Sequence, residues 1–302
     1  MATVNPNVAA ITGYVEQHTL PLLAKTVLGA KTPSIVYLQT GVKGKTALNI
    51  LSTDVEFGCG ENCGFNETGA TTYSQREIDP AHINIDMAIC DRKLLDTWAN
   101  YEVKVAAGQR ELPFAEEWTN EIVKNTQDKL EKFLWNGGTV CEKEYDGYVA
   151  ILEDAEATVD AEEGATNYKA IVDGYLALPA EVQAADDVVA FVSYPVFNAL
   201  VQEVLAASHY HLDTDNTGYV VLPGTQVKVY ATQGLSAPTE AGDTIAVIGR
   251  ASNFVYGVDM ASDSEVFDLW YSKDQKSFML NISFNAGMQI AFPDEALLVK
   301  KG

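Results

Sequence analysis

Basic residues are scarce in this chain: 20 lysines and arginines stand against 42 aspartates and glutamates, a formal net charge of −22 over 302 residues. A protein that grips nucleic-acid phosphates needs clustered Lys and Arg, so this balance argues against that mode of binding. It leaves room for a protein that encloses nucleic acid without holding it, or one kept soluble by an acidic surface. Long apolar runs are also missing. None approaches the about 18 residues that a membrane-spanning helix needs. The opening MATVNPNVAA has no basic region followed by an apolar core, which argues against a secretory signal. Cysteine is sparse: Cys59, Cys63, Cys90 and Cys141 do not make a disulfide scaffold in a chain this long, and folding in a reducing cytoplasm is expected.

Catalytic sets are missing too. There is no G-x-S-x-G and no H-E-x-x-H, and His18 and His82 have no nucleophile near them in sequence. Three stretches approach a chemical motif and fall short. Gly41-Val42-Lys43-Gly44-Lys45-Thr46 ends like a phosphate-cradling loop, but Gln39 stands where that loop needs its first glycine. The adjoining ALNILSTDV is strand-like, so no helix N-terminus would meet a phosphate, and a two-strand turn is expected. Cys59 and Cys63 have three residues between them and no C-x-x-C partner, which is weak support for zinc. His209, His211, Asp213 and Asp215 fall in seven residues, but the calcium-loop register starting at Asp213 puts Gly224 where a glutamate is required. That stretch reads as a polar loop. No cofactor and no metal are expected.

What is present is enough apolar content, 47%, to bury a core in one large domain or two smaller ones. The chain is organised around Pro113–Gly138. Phe114, Trp118, Ile122, Thr126, Leu130 and Leu134 recur at steps of four, and Val123 and Phe133 widen the line into a helical stripe. Pro113 suits the first helical position, and Asn136-Gly137-Gly138 supplies a left-handed stop. Residues 7–30 read as a helix interrupted at Pro21. Strands are expected at 35–38, 47–55, 73–78 and 82–90, so that 41–80 forms a long two-stranded arm around a polar, Gly-rich tip. Such an arm cannot bury its own faces. A short helix is expected at 92–101, a return to the sheet at 145–152, and a solvated acidic connection at 153–165. Helices at 167–178 and 195–207, with strands at 187–192, 218–222, 226–231 and 244–249, make a small α/β layer. The last strands are expected at 254–258, 266–271, 278–284 and 288–292. There is no internal repeat.

This order of parts is itself a signal. A leading arm, a long hairpin, a strand and a long helix ending in Gly-Gly come first. An α/β layer carrying VAFVSYPVFNALVQEVL comes next, and the chain closes on strands with GMQIAFPDEALLV. It resembles the major capsid protein of tailed bacteriophages, the α+β Hong Kong 97-type fold shared with encapsulins and herpesvirus capsid floors. The resemblance implies an N-terminal arm at 1–33, an extended E-loop region at 34–80, a P-domain at 81–165 with its spine helix at 114–135, an A-domain at 166–250 and P-domain return strands at 251–302. The P-domain sheet would draw on 81–90, 140–152 and 254–299.

The resemblance implies a shell of pentamers and hexamers enclosing double-stranded DNA, with separate scaffolding, portal and decoration proteins as further partners and no membrane. Its alternative is an encapsulin-like compartment with protein cargo. The implied subunit-interface candidates are Phe57, Phe65, Tyr73 and Arg76 of the E-loop, with His209, His211 and Asp213 in a loop facing a symmetry axis. Two departures matter. No long charged helical segment precedes the capsid region, so a separate scaffold, or none, is expected. Lys43 and Lys45 lie at the base of the E-loop, so the covalent cross-linking of some members is not carried over.

Overall fold

The stripe that begins at Phe114 winds into one helix, α1 (Phe114–Asn136), of 23 residues and about 34 Å. Ile122, Val123, Leu130, Leu134 and Trp135 are buried along it. Its stop is local chemistry. Gly137 has φ +69° and its N–H donates to the Phe133 carbonyl at 2.8 Å, a left-handed turn that a side chain would strain. The computed structural model describes residues 22, 24–57, 69–90, 114–206, 218–236, 238–239, 242–259, 266–275 and 277–302.

Two sheets flank α1. The first contains β1 (Tyr37–Thr40), β4 (Ala81–Cys90), β12 (Phe254–Val258), β13 (Val266–Ser272) and β14 (Ser277–Ile290). The long β14 is its axis. Ala286 pairs with both Val258 and Ala81, so β12 and β4 take opposite edges, and β13 continues beyond β12 along the same edge. The second sheet runs β7 (Thr158–Asp160), β15 (Ala296–Lys300), β11 (Thr244–Arg250), β8 (Val188–Ser193), β10 (Lys228–Thr232), β9 (Tyr219–Val221). Helices α3 (Asn167–Ala177) and α5 (Tyr194–Ala206), on either side of the short α4 (Ala180–Gln183), pack together against it. Two hairpins stand apart from the sheets: β2 (Thr46–Asp54) with β3 (Ala70–Ile78), and β5 (Gly138–Val140) with β6 (Lys143–Tyr145).

Alternation along β8 explains how the layers lock. Val188, Ala190 and Val192 join the core under α3 and α5, while Val189 and Phe191 join the core shared with α1 and the first sheet. Phe191 meets Trp135 at 4.8 Å and Phe254 at 5.7 Å between ring centroids, and Tyr148 stands 5.5 Å from both Trp135 and Phe254. Burial pushes the Tyr148 phenol well above its usual pKa, so its hydroxyl stays protonated and donates to the Val255 carbonyl at 3.0 Å.

The segment before β1 is tied to the far end of α1. Residues 24–28 are helical and bury Val27 in the same core. Thr32 donates its N–H and its hydroxyl to the buried Glu131 carboxylate, both at 2.6 Å. The same hydroxyl accepts the Trp135 indole N–H at 2.9 Å. A carboxylate buried at the start of the short 3-10 helix Thr32–Ser34 is thereby satisfied.

Several expectations are corrected. The 3-10 helix Thr32–Ser34 is closed by Ile35, which keeps helical backbone angles and donates its N–H to the Thr32 carbonyl, so the first strand begins at Tyr37 and not at residue 35. Residues 140–152 do not enter the first sheet. They form the β5–β6 hairpin and then α2 (Tyr148–Asp154), whose buried Tyr148 and Leu152 lie one helical turn apart. The acidic connection 153–165 contains β7, which pairs in parallel with β15. The strands expected at 278–284 and 288–292 are one strand, β14, because Gly287 continues the ladder instead of turning it. The last strand, β15, pairs with β11 and belongs to the second sheet, so 254–299 does not serve a single sheet. The first 21 residues, the helix expected at 92–101 and the Cys59–Cys63 tip lie outside the described residues.

Candidate assembly surface

The β2–β3 hairpin is the arm expected from the sequence, and its register sorts its side chains into two faces. Asn49, Leu51 and Thr53 stand opposite Gln75, Tyr73 and Thr71. Directly opposed residues share a face, so these six lie together. The Gln75 amide donates to the Asn49 side-chain carbonyl at 3.2 Å, and the Thr53 and Thr71 hydroxyls meet at 3.4 Å. Between these polar rungs sits an apolar one, Leu51 with Tyr73, exposed by 58% and 83%. Val55 and Phe57 continue the chain beyond β2, also exposed. An apolar cross-strand pair bracketed by hydrogen-bonded rungs is a candidate contact surface that the hairpin itself leaves unburied.

Of the sequence candidates, Phe57 and Tyr73 are on this exposed run. Arg76 is opposite Leu48, on the other face, and half-exposed. Phe65, His209, His211 and Asp213 lie outside the described residues. Leu51 was missed, although the sequence carries its signal: Leu48 and Ile50 keep period two in β2, and Leu51 breaks that alternation with an apolar side chain on the wrong face.

The root of the hairpin is polar at its rim. The Asp79 carboxylate pairs with Lys45 at 3.6 Å and with Lys143 from the β5–β6 hairpin. The hydrogen bond to Asp79 raises the Lys143 pKa above the usual lysine value. Lys45 keeps most of its side chain in solvent while it meets Asp79. The two-strand turn expected at Gly41–Thr46 is corrected: the stretch links β1 to β2, strands that pair with β12 and β3 and not with each other, although Thr46 does open a strand and not a helix. His82 faces the Asn285 amide oxygen at 2.7 Å and the Ser283 hydroxyl at 3.4 Å. Among the described residues, no three His, Cys, Asp or Glu side chains converge as metal ligands, and no helix is long and apolar enough to cross a membrane.

No protein-family model matches the chain, and no curated protein matches it. Solved structures do. A chain of the satellite phage P4 procapsid, a structure that includes the size determination protein, superposes with a TM-score of 0.65 at 13% identity, over 94% of this chain and 91% of that one. The capsid of the empty GTA particle gives 0.59 at 14% identity, over 90% of each chain. A chain from Microbacterium phage Oxtober96 gives 0.58 at 12% identity, over 90% of this chain and 91% of that one. At such identities the likeness is one of architecture, and the architecture of this chain is the Hong Kong 97-type capsid fold.

Proposed function

We propose that copies of this chain assemble as pentamers and hexamers into the icosahedral head of a tailed bacteriophage, a shell enclosing double-stranded DNA. The observation that carries the reading is the β2–β3 hairpin, which presents Leu51 and Tyr73 side by side on an exposed face. A shell supplies a neighbour for that face in every subunit. The fold match to a procapsid and to a GTA capsid supports the same reading.

The principal partner is a second copy of the chain. Separate scaffolding, portal and decoration proteins belong to the same reading, as does location in the virion after assembly in the host cytoplasm. The division into arm, E-loop, P-domain and A-domain belongs to it as well, with β15 returned to the A-domain sheet. The role is structural, without catalysis. The −22 charge lets packed DNA slide along an acidic lining without sticking.

The test is electron microscopy of the purified protein beside its sedimentation profile. Closed shells, or rings of five and six, are expected. A folded monomer at high concentration, unchanged when neighbouring genes are co-expressed, would sink the proposal. Shells filled with protein cargo in place of DNA would move the reading to an encapsulin-like compartment.

A further inference from the structure

Gly257 and Gly287 face each other across the β12–β14 ladder. A glycine inside a strand gives up more chain freedom than any other residue and offers nothing to pack. Two of them face to face in the first sheet mark space that another part of the chain needs. That part is the root of the hairpin. A methyl on Gly287 would stand 2.8 Å from Ile78 Cγ2 and 3.1 Å from Pro80 Cα, and one on Gly257 would stand 3.1 Å from the same Ile78 methyl and 3.2 Å from Val42 Cγ2.

Ile78 ends β3 and Val42 precedes β2, so both roots of the hairpin enter the hollow, and both side chains are fully buried. Val255 completes this small core, with Leu48 and Ala291 packed at its side. Backbone contacts fix the same two roots. The Val42 N–H donates to the Val258 carbonyl at 3.3 Å, and the Gln289 side-chain amide donates to the Glu77 carbonyl at 2.7 Å. Ile78 is β-branched and stiff at χ1, so the methyl that fills the hollow cannot swing aside cheaply.

We infer that the Gly257–Gly287 pair is a socket, plugged by Ile78 and Val42, that sets the direction in which the hairpin leaves the body. The ion pairs of Asp79 with Lys45 and Lys143 rim the socket. The consequence for assembly rests on the function proposed above; the anchoring does not.

The test uses the full-length chain with Gly287→Ala, Ile78→Ala and the double variant, read first by hydrogen exchange of the unassembled subunit. Filling the socket should speed exchange at 40–48 and 74–80 by about tenfold or more while β8 stays protected. Ile78→Ala, which empties the socket without crowding the sheet, should loosen the same two segments. The double variant should recover part of the loss, because the new methyl occupies the space that Ile78 vacates. Shells of either single variant should be malformed or mixed in size. Wild-type exchange at the root in both single variants would overturn the socket. So would loss of protection spread evenly through β8, since the glycines would then serve the sheet and not the hairpin. A wild-type chain that forms no shell would remove the proposed function and leave the exchange result to decide the socket alone.

Discussion

The strands β8 and β3 are built from the same backbone and depend on opposite things. Every residue of β8 is buried, one face under α3 and α5 and the other against α1 and the first sheet. In β3 only the last residue, Ile78, is buried. The first strand finds its partners inside its own chain, and so it can be read as a core. The second is held at its root and displays the rest. The rest of β3 leaves its side chains largely in solvent, where the body of the chain does not cover them.

The largest effect that sharpens this contrast is expected at Phe191, where the two layers meet Trp135 and Phe254. Phe191→Ala should cost about 3–5 kcal/mol in urea unfolding of the subunit. Loss of less than about 1 kcal/mol would mean that the layers are not locked through this ring cluster. A subtler comparison applies one substitution to a site in the buried core and to one on the exposed hairpin. Thr32→Val removes the hydroxyl shared by Glu131 and Trp135 in a buried site and should cost about 1–3 kcal/mol. Thr53→Val removes a hydroxyl on an exposed rung and should stay within about 0.5 kcal/mol. Equal costs would erase the distinction between the two regions.

The same contrast governs how much was legible in the sequence. Elements that carry their own periodicity were readable: α1 from its stripe and its Gly137 stop, β12 over Phe254–Val258, and the hairpin strands to within a few residues. Elements defined by a distant partner were not. The three residues of β7 look like acidic linker until β15 pairs with them. Tyr148–Asp154 mixes aromatic and β-branched residues, and its helix shows only in Tyr148 and Leu152 turning to one core. Gly287 reads as a break in a strand, because its reason is Ile78, more than two hundred residues away in the chain. Of the candidate surface, Tyr73 and Phe57 could be picked as apolar residues in an arm that buries little. Leu51 required the register.

Asp187 offers a smaller and pH-dependent test at the entrance to β8. Burial alone would raise its carboxyl pKa, but bonds from Ser252 and Arg250 outweigh that and hold it below the usual aspartate value. A depressed pKa contributes stability above the unfolded-state value, and that contribution is lost as pH falls through the folded one. The advantage of the wild type over Asp187→Asn should therefore be flat above about pH 4 and vanish below it. The site is about one-third exposed, so screening should hold the whole effect to about 1 kcal/mol or less. Arg250 also approaches Glu295 at 3.9 Å. Burial raises the Glu295 carboxyl first, with Arg250 opposing it and Glu181, Asp187 and Asp294 adding to it. Repeating the titration in a Glu295→Gln background separates the two groups. A pH-independent difference there would show that Asp187 acts through packing and not through its charge.

The smallest expected change to the subunit is the one that bears most on the proposed shell. Leu51→Ser and Tyr73→Ser remove side chains that stand exposed in the isolated chain, so unfolding of the subunit should shift by no more than about 0.5 kcal/mol. Assembly should respond differently. Burying each of these side chains against a neighbour contributes about 1.5–3 kcal/mol per contact, and about 1.4 kcal/mol is already tenfold in an association constant. The protein concentration at which shells form, read by light scattering and microscopy, should therefore rise by at least about tenfold for either variant. The two should not add fully, because Leu51 and Tyr73 form one cross-strand pair. Unchanged assembly with unchanged stability would detach this face from the proposed subunit contact and leave the hairpin's apolar rung without a partner.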